Sequence, residues 1–175
     1  LEWAKTHVFS SFFICWSSQA ALYYYYGIPK YELEEKLTGV YFHYTNIDKM
    51  KRKILRGFDY QFYAPHSRYT TVLAKDIDQV PTLDILAQSQ EAGVYLIAET
   101  DGSRFFVTGH PEYDPDTLDK EYRRDLAISK DATMPKNYYR NDDINNEILV
   151  KWRSHAYLLF SNWLNYYVYQ QTFHF

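Results

Sequence analysis

The only cysteine in the 175 residues is Cys15, at the end of the apolar run THVFSSFFIC and ahead of a segment that tolerates helix. A strand that runs into a tight turn and then a helix presents its junction residue at an elbow. The helix N-terminus favours a thiolate there and offers N–H groups to a developing oxyanion. The flanks are Trp16 and Ser17 rather than the glycines that usually relieve such a turn. The plainer alternative is a buried cysteine closing an apolar strand. A second candidate is the turn Gly109-His110-Pro111-Glu112-Tyr113-Asp114-Pro115. His110 could act as a base, Glu112 could fix its tautomer, and Pro111 stiffens the turn. The alternative is an ordinary surface turn. His66-Ser67-Arg68 offers donors suited to a carboxylate or phosphate, against the reading of a solvated loop. Arg123 and Arg124 follow the His–Glu turn on a helix, and one could turn inward to hold a carboxylate through its planar fork. Lys36 reads as a surface residue from composition. Cys15, His66 and His110 could in principle converge on a metal, but no HExxH spacing supports it. No glycine-rich phosphate loop occurs, so nucleotide hydrolysis and dinucleotide binding have no support.

These residues need elements to hold them. His7 to Cys15 reads as a strand, and Ser17 to Tyr26 as a helix that Gly27 stops, with Pro29 beyond. Gly39–Tyr44 and Phe58–Ala64 read as extended, and Thr45–Arg56 as polar and weakly helical. Lys75–Val80 reads as a turn or short helix. Leu83–Gln88 and Val94–Glu99 are strands, and Asp101-Gly102 marks a hairpin into RFFVTG. Asp114 and Pro115 are expected to open a helix that reaches about Ile128. Asp131–Ile148 reads as a polar loop. Trp152, Ala156, Leu159, Phe160, Trp163, Leu164 and Tyr167 recur at helical spacing up to about Tyr169, which predicts an amphipathic helix against a sheet. The order of elements predicts an α/β fold. With 19 basic and 22 acidic residues, nothing argues for nucleic acid or an anionic membrane surface. A single cysteine excludes an internal disulfide framework, and no apolar run has membrane-spanning length. The start Leu1-Glu2-Trp3 lacks an initiator methionine and few residues precede Cys15, so a fragment or processed piece is expected.

Four segments carry more than spacing: ICWSSQAALYYYYGIPKY, LRGFDYQFYAPHSRYT, FFVTGHPEYDPDTLDKEYRRD and WRSHAYLLFSNWLNYYVYQ. They closely resemble the homoserine O-acyltransferases of methionine biosynthesis, the succinyl- and acetyltransferases related to class I glutamine amidotransferases. The resemblance runs over residues 1–175 and matches the C-terminal part of that family's single catalytic domain. It implies a three-layer, flavodoxin-like α/β fold, here without its N-terminal portion. It implies Cys15 as nucleophile, His110 as general base and Glu112 as its orienting carboxylate. It implies Lys36, Ser67 and Arg124, rather than Arg123, as substrate-binding residues. The implied reaction passes an acyl group from acyl-CoA through an acyl-cysteine to the γ-hydroxyl of L-homoserine. It implies no metal and no bound cofactor, acyl-CoA being a co-substrate. It implies a cytoplasmic protein that could be a homodimer, with no nucleic acid or membrane partner. Acetyl is favoured over succinyl only by analogy, because the residue that sorts the donors belongs to the missing half.

Three departures stand against the family pattern. Ser17-Ser18-Gln19-Ala20-Ala21 replaces the usual Gly-Ala-Gln-Ala-Gly after Cys-Trp, which could crowd the oxyanion region. The terminal QQTFHF lacks the customary glutamate, and the N-terminal half is missing. Two other readings remain open: a cysteine hydrolase or glutamine amidotransferase with the same triad, and a non-catalytic fragment or relict binding domain.

Overall fold

The computed structural model describes residues 1–172. Its elements in chain order are a helical turn α1 (Ala4–His7), β1 (Ser11–Ile14), α2 (Trp16–Tyr26), β2 (Tyr31–Thr45), β3 (Gln61–Thr71), α3 (Ala74–Ile77), β4 (Leu83–Ser89), β5 (Gly93–Glu99), β6 (Arg104–Val107), α4 (Thr117–Ile128) and α5 (Arg153–Trp163). Two 3-10 turns, Ile47–Lys49 and Lys53–Leu55, occupy the stretch read as weakly helical, and α5 continues into a wider π-helical turn, Leu164–Tyr169.

The six strands form one sheet in the order β1-β6-β5-β4-β2-β3. β1 and β6 are parallel, and the other neighbouring pairs are antiparallel. Alternation along the strands makes both faces apolar. Phe105, Val107, Leu96 and Ala98 join a core with Leu159 of α5, against which Trp163 and Tyr167 pack. Phe106 and Ile97 point the other way, to Ala21 and Leu22 of α2 and Ile77 of α3. Helices therefore cover both faces, giving three layers. A third cluster joins Val40 of β2 to Leu118 of α4 and to Tyr138, Tyr139 and Trp152.

Most expected elements are present, with informative differences. β2 begins eight residues before the expected Gly39, because its first half alternates in burial and carries polar residues outward. β3 runs straight through Pro65 to Thr71, so His66-Ser67-Arg68 is strand rather than solvated loop, with His66 and Arg68 buried. Pro65 is tolerated because β3 lies at the sheet edge. α4 starts at Thr117, after a turn in which the Thr117 N–H donates to the Asp114 carbonyl at 3.1 Å, so Asp114 and Pro115 precede the helix rather than open it. The polar loop after α4 contributes Tyr138 and Tyr139 to the core. Gly27 ends α2 in the left-handed region, φ 70°, its N–H donating to the Tyr23 carbonyl at 2.8 Å. Of QQTFHF, residues 173–175 lie outside the described residues. Among the described residues no helix is long and apolar enough to cross a membrane.

Candidate active site

Parallel pairing of β1 with β6 sets Ile14 opposite Val107, so both strands end at one edge of the sheet. Cys15 leaves β1 there, and Thr108, Gly109 and His110 leave β6 beside it. The Cys15 N–H donates to the Val107 carbonyl at 2.7 Å, extending the ladder by one residue. Its own carbonyl then receives the N–H groups of Ser18 and Gln19 at 3.1 and 3.2 Å, which opens α2. Serving both elements forces Cys15 to φ 50°, ψ −113°, a conformation non-glycine residues rarely adopt. The strained junction turns the thiol toward β3, where Sγ lies 3.9 Å from the Ser67 carbonyl and only 9% of Cys15 is exposed.

The serines that replace small residues do not crowd this elbow. Ser17 Oγ accepts from the Ile14 N–H at 2.9 Å and donates to the Ile14 carbonyl at 2.8 Å. Ser18 Oγ donates to the Cys15 carbonyl at 2.7 Å. Neither Ser17 nor Ala21 has a positive φ, and Ala21 is fully buried under the sheet. The loss of two glycines is therefore met by local hydrogen bonds and packing.

β3 reaches this edge because the sheet curls, carrying the β2–β3 hairpin from the far side back over β6. The His110 N–H donates to the Pro65 carbonyl at 2.8 Å. Gly109 makes the approach feasible: a Cβ there would lie 2.7 Å from the Pro65 carbonyl oxygen and 2.9 Å from the Tyr95 ring. His110 Nδ1 lies 2.7 Å from Glu112 Oε1. Burial opposes a charge on His110, but hydrogen bonding and charge from Cys15 and Glu112 outweigh it and push its pKa up to about 9. The imidazole is thus cationic at neutral pH.

On the other side of Ser67 stands α4. Glu121 accepts from Ser67 Oγ at 2.5 Å and from the Tyr113 hydroxyl at 2.6 Å. One helical turn later Asp125 pairs with Lys36 Nζ at 2.6 Å, and Glu121 Oε2 is 3.9 Å from the same Nζ. Lys36 is therefore not the surface residue that composition suggests, since its side chain is only 10% exposed. Arg124 pairs with Asp125 at 2.8 Å, is 64% exposed, and lies within electrostatic reach of Glu121 and Tyr113. Arg123 points away, to Asp119. The structure thus brings Cys15, His110, Glu112 and Ser67 together, with Lys36 joined through Glu121 and Arg124 at the rim. A groove of about 590 Å³ lies beside Lys36, lined also by Glu35, Tyr69 and Asp125.

Sequence reasoning missed Glu121 and Tyr113. It also missed a buried relay beneath the site. Arg68 is 5% exposed and donates to the Thr70 carbonyl at 2.6 Å, the Ala92 carbonyl at 2.5 Å and His66 Nδ1 at 3.4 Å. Because Arg68 can only donate, His66 carries its proton on Nε2 and gives it to His43 Nε2 at 3.0 Å. His43 in turn donates from Nδ1 to the Tyr41 carbonyl at 2.9 Å. Burial, the largest cause, pushes His43 down to about 3 and His66 well below its usual value, so both stay neutral. His66 is thereby committed, and among the described residues no three metal-ligating side chains stand together.

A curled sheet between two helical layers, with a strained cysteine where β1 meets α2 and a histidine–carboxylate pair in the turn just past the adjacent strand β6, is a glutamine amidotransferase-like α/β fold. Solved structures agree on the fold. A glutamine amidotransferase from Thermotoga maritima superposes with TM-score 0.60 at 17% identity, covering 88% of this chain and 60% of its own. One from Methylobacillus flagellatus gives 0.59 at 12% identity, covering 88% and 61%. Sequence narrows this further. A family model described as homoserine O-succinyltransferase matches residues 1–174, and the chain belongs to that family. The homoserine O-acetyltransferase of Catenibacterium mitsuokai is 76% identical over 98% of this chain and 55% of its own length. That of Clostridium tetani is 53% identical over 98% and 56%. The chain spans about half the length of these curated relatives.

Proposed function

We propose that the full-length protein transfers an acetyl group from acetyl-CoA to the γ-hydroxyl of L-homoserine through an acyl-Cys15 intermediate, a step toward methionine. The observation that carries this reading is the strained Cys15 elbow opposite the His110–Glu112 pair, in a chain of this family. The names of the curated relatives support acetyl as the acyl group.

The Cys15 thiolate attacks the thioester carbonyl. The first N–H groups of α2 would serve as donors to the resulting oxyanion. When the intermediate collapses, the C–S bond to CoA breaks and His110 gives its proton to the departing thiolate. Acylation removes the negative charge on Cys15, and with it one cause of the raised His110 pKa. His110 is then neutral and can take the proton of the homoserine hydroxyl, held in the right tautomer by Glu112. That oxygen attacks the acyl carbonyl, the C–S bond to Cys15 breaks to free the thiolate, and His110 keeps the hydroxyl proton, which restores the starting pair. The scheme needs no metal and no resident cofactor. Two opposite charges near the thiol suit an amino acid acceptor: Glu121 for the ammonium group and Arg124 for the carboxylate. Arg124 would exchange Asp125 for the substrate. Lys36 holds Asp125 and steadies the wall that Glu121 and Ser67 share.

The experiment is acyl transfer by the full-length protein, with homoserine, water and glutamine compared as partners. Transfer to homoserine that Cys15→Ala abolishes is expected. Acyl-CoA hydrolysis or ammonia release that is indifferent to homoserine would overturn the proposal in favour of a hydrolase or amidotransferase.

A further inference from the structure

Tyr113 has no part in the scheme above, yet its side chain touches both halves of the site. Its ring stacks on the His110 imidazole, with centroids 4.1 Å apart and planes 20° from parallel. Its hydroxyl donates to Glu121 Oε1 at 2.6 Å, while Ser67 Oγ holds Glu121 Oε2 at 2.5 Å. The Tyr113 backbone is itself fixed. Its N–H donates to the His110 carbonyl at 3.2 Å, and its carbonyl accepts from the indole N–H of the buried Trp152 at 3.0 Å. One rigid side chain therefore sets the distance between the imidazole and the Glu121 carboxylate.

We propose that Tyr113 is a positioning residue for the acceptor, holding the Glu121 carboxylate at a fixed distance from His110 so that an amino acid bound by its ammonium group presents its hydroxyl to the base. The inference rests on the proposed reaction and adds a specificity determinant to it. A carboxylate with a donor on each oxygen has one orientation, and an ammonium group added to it then has a defined direction. Ring and hydroxyl divide the work: the ring keeps the imidazole facing Cys15, and the hydroxyl keeps Glu121 facing the acceptor. The phenol stays protonated for this purpose. Burial first, and then its bond to Glu121, hold its pKa well above the ordinary value.

Two variants of the full-length protein separate the parts. Tyr113→Phe keeps the ring and removes the donor, and Tyr113→Ala removes both. The half-reactions are read separately, as acylation of Cys15 by acetyl-CoA and as discharge by homoserine or by 4-hydroxybutanoate, the same acceptor without the amine. For Tyr113→Phe, acylation stays within about twofold, while the homoserine KM rises roughly tenfold or more, the usual scale for one hydrogen bond to a charged group. The preference for homoserine over 4-hydroxybutanoate falls by a similar factor, which a general loosening of the fold would not produce. Tyr113→Ala slows acylation as well. The proposal is overturned if Tyr113→Phe leaves the homoserine KM and that preference unchanged, or if it slows acylation as much as discharge. Normal acylation by Tyr113→Ala would overturn the role of the ring. Failure of the wild-type protein to form any acyl-Cys15 would remove the underlying reaction instead, and is seen before any variant is made.

Discussion

Replacing Gly109 by alanine adds one carbon atom and tests how closely His110, the proposed base, must be held. The new Cβ would stand 2.7 Å from the Pro65 carbonyl oxygen, 2.9 Å from Tyr95 Cε2 and 3.0 Å from His66 Cε1. None of the three yields easily. Pro65 is paired with Val40 in the β2–β3 ladder, Tyr95 is buried in the core, and His66 is locked between Arg68 and His43. The carbonyl contact must open from 2.7 Å to an ordinary 3.4 Å, about 0.7 Å. That movement passes to the next residue, His110, whose own N–H bonds the same carbonyl. A displacement of this size at a reacting group costs roughly ten- to a hundredfold in rate, and overpacking of this kind costs about 1–3 kcal/mol of stability. The assay is the rate at which acetyl-CoA acylates Cys15 in Gly109→Ala, with thermal melting alongside. A fall in rate of that order, with a folded protein, is expected. Wild-type acylation with an unchanged melting temperature would refute the argument that the β3 approach fixes His110.

Two further outcomes follow from the same geometry. His43 and His66 have depressed pKa values in the fold, so the unfolded chain takes up protons that the native state refuses as pH falls below about 6.5. Each should remove up to about 1.4 kcal/mol of stability per pH unit on the acid side, measurable by denaturant titration from pH 7 to 4. His110 acts in the opposite sense: its contribution is full below about 6.5 and is lost as pH rises through about 9. A stability flat from pH 4 to 10 would contradict both assignments. Ser17→Ala removes two hydrogen bonds to Ile14, so a loss of about 1 kcal/mol in thermal or denaturant unfolding is expected, with acyl transfer retained within a few-fold. A large loss of transfer at unchanged stability would mean that the hydroxyl acts in the chemistry.

The legible parts of this site were those whose chemistry is local. A lone cysteine at a strand-to-helix junction and a His–Pro–Glu turn can be read from neighbouring residues, and their approach follows from parallel pairing of two strands. Glu121 was hidden because a glutamate on a charged helix looks like a solvated face. Only the curl of the sheet brings Ser67 to it. His43, and the burial of Arg68 against His66, were hidden for the same reason, since polar residues in an edge hairpin gave no sign that the hairpin folds inward. Arg124 and Lys36 came from family resemblance, and composition alone had set Lys36 on the surface. The concern about Ser17 came from treating a lost glycine as lost conformational freedom. The strained φ belongs to Cys15, two residues earlier, and Ser17 has no positive φ.

The most direct test of the account is the mass of the intact full-length protein after mixing with acetyl-CoA or succinyl-CoA in the absence of homoserine. The account predicts the gain of one acetyl group, mapped to Cys15, that is absent in Cys15→Ala and is discharged when homoserine is added. A folded protein that gains no acyl group from either donor, or one whose adduct homoserine does not discharge, would contradict it.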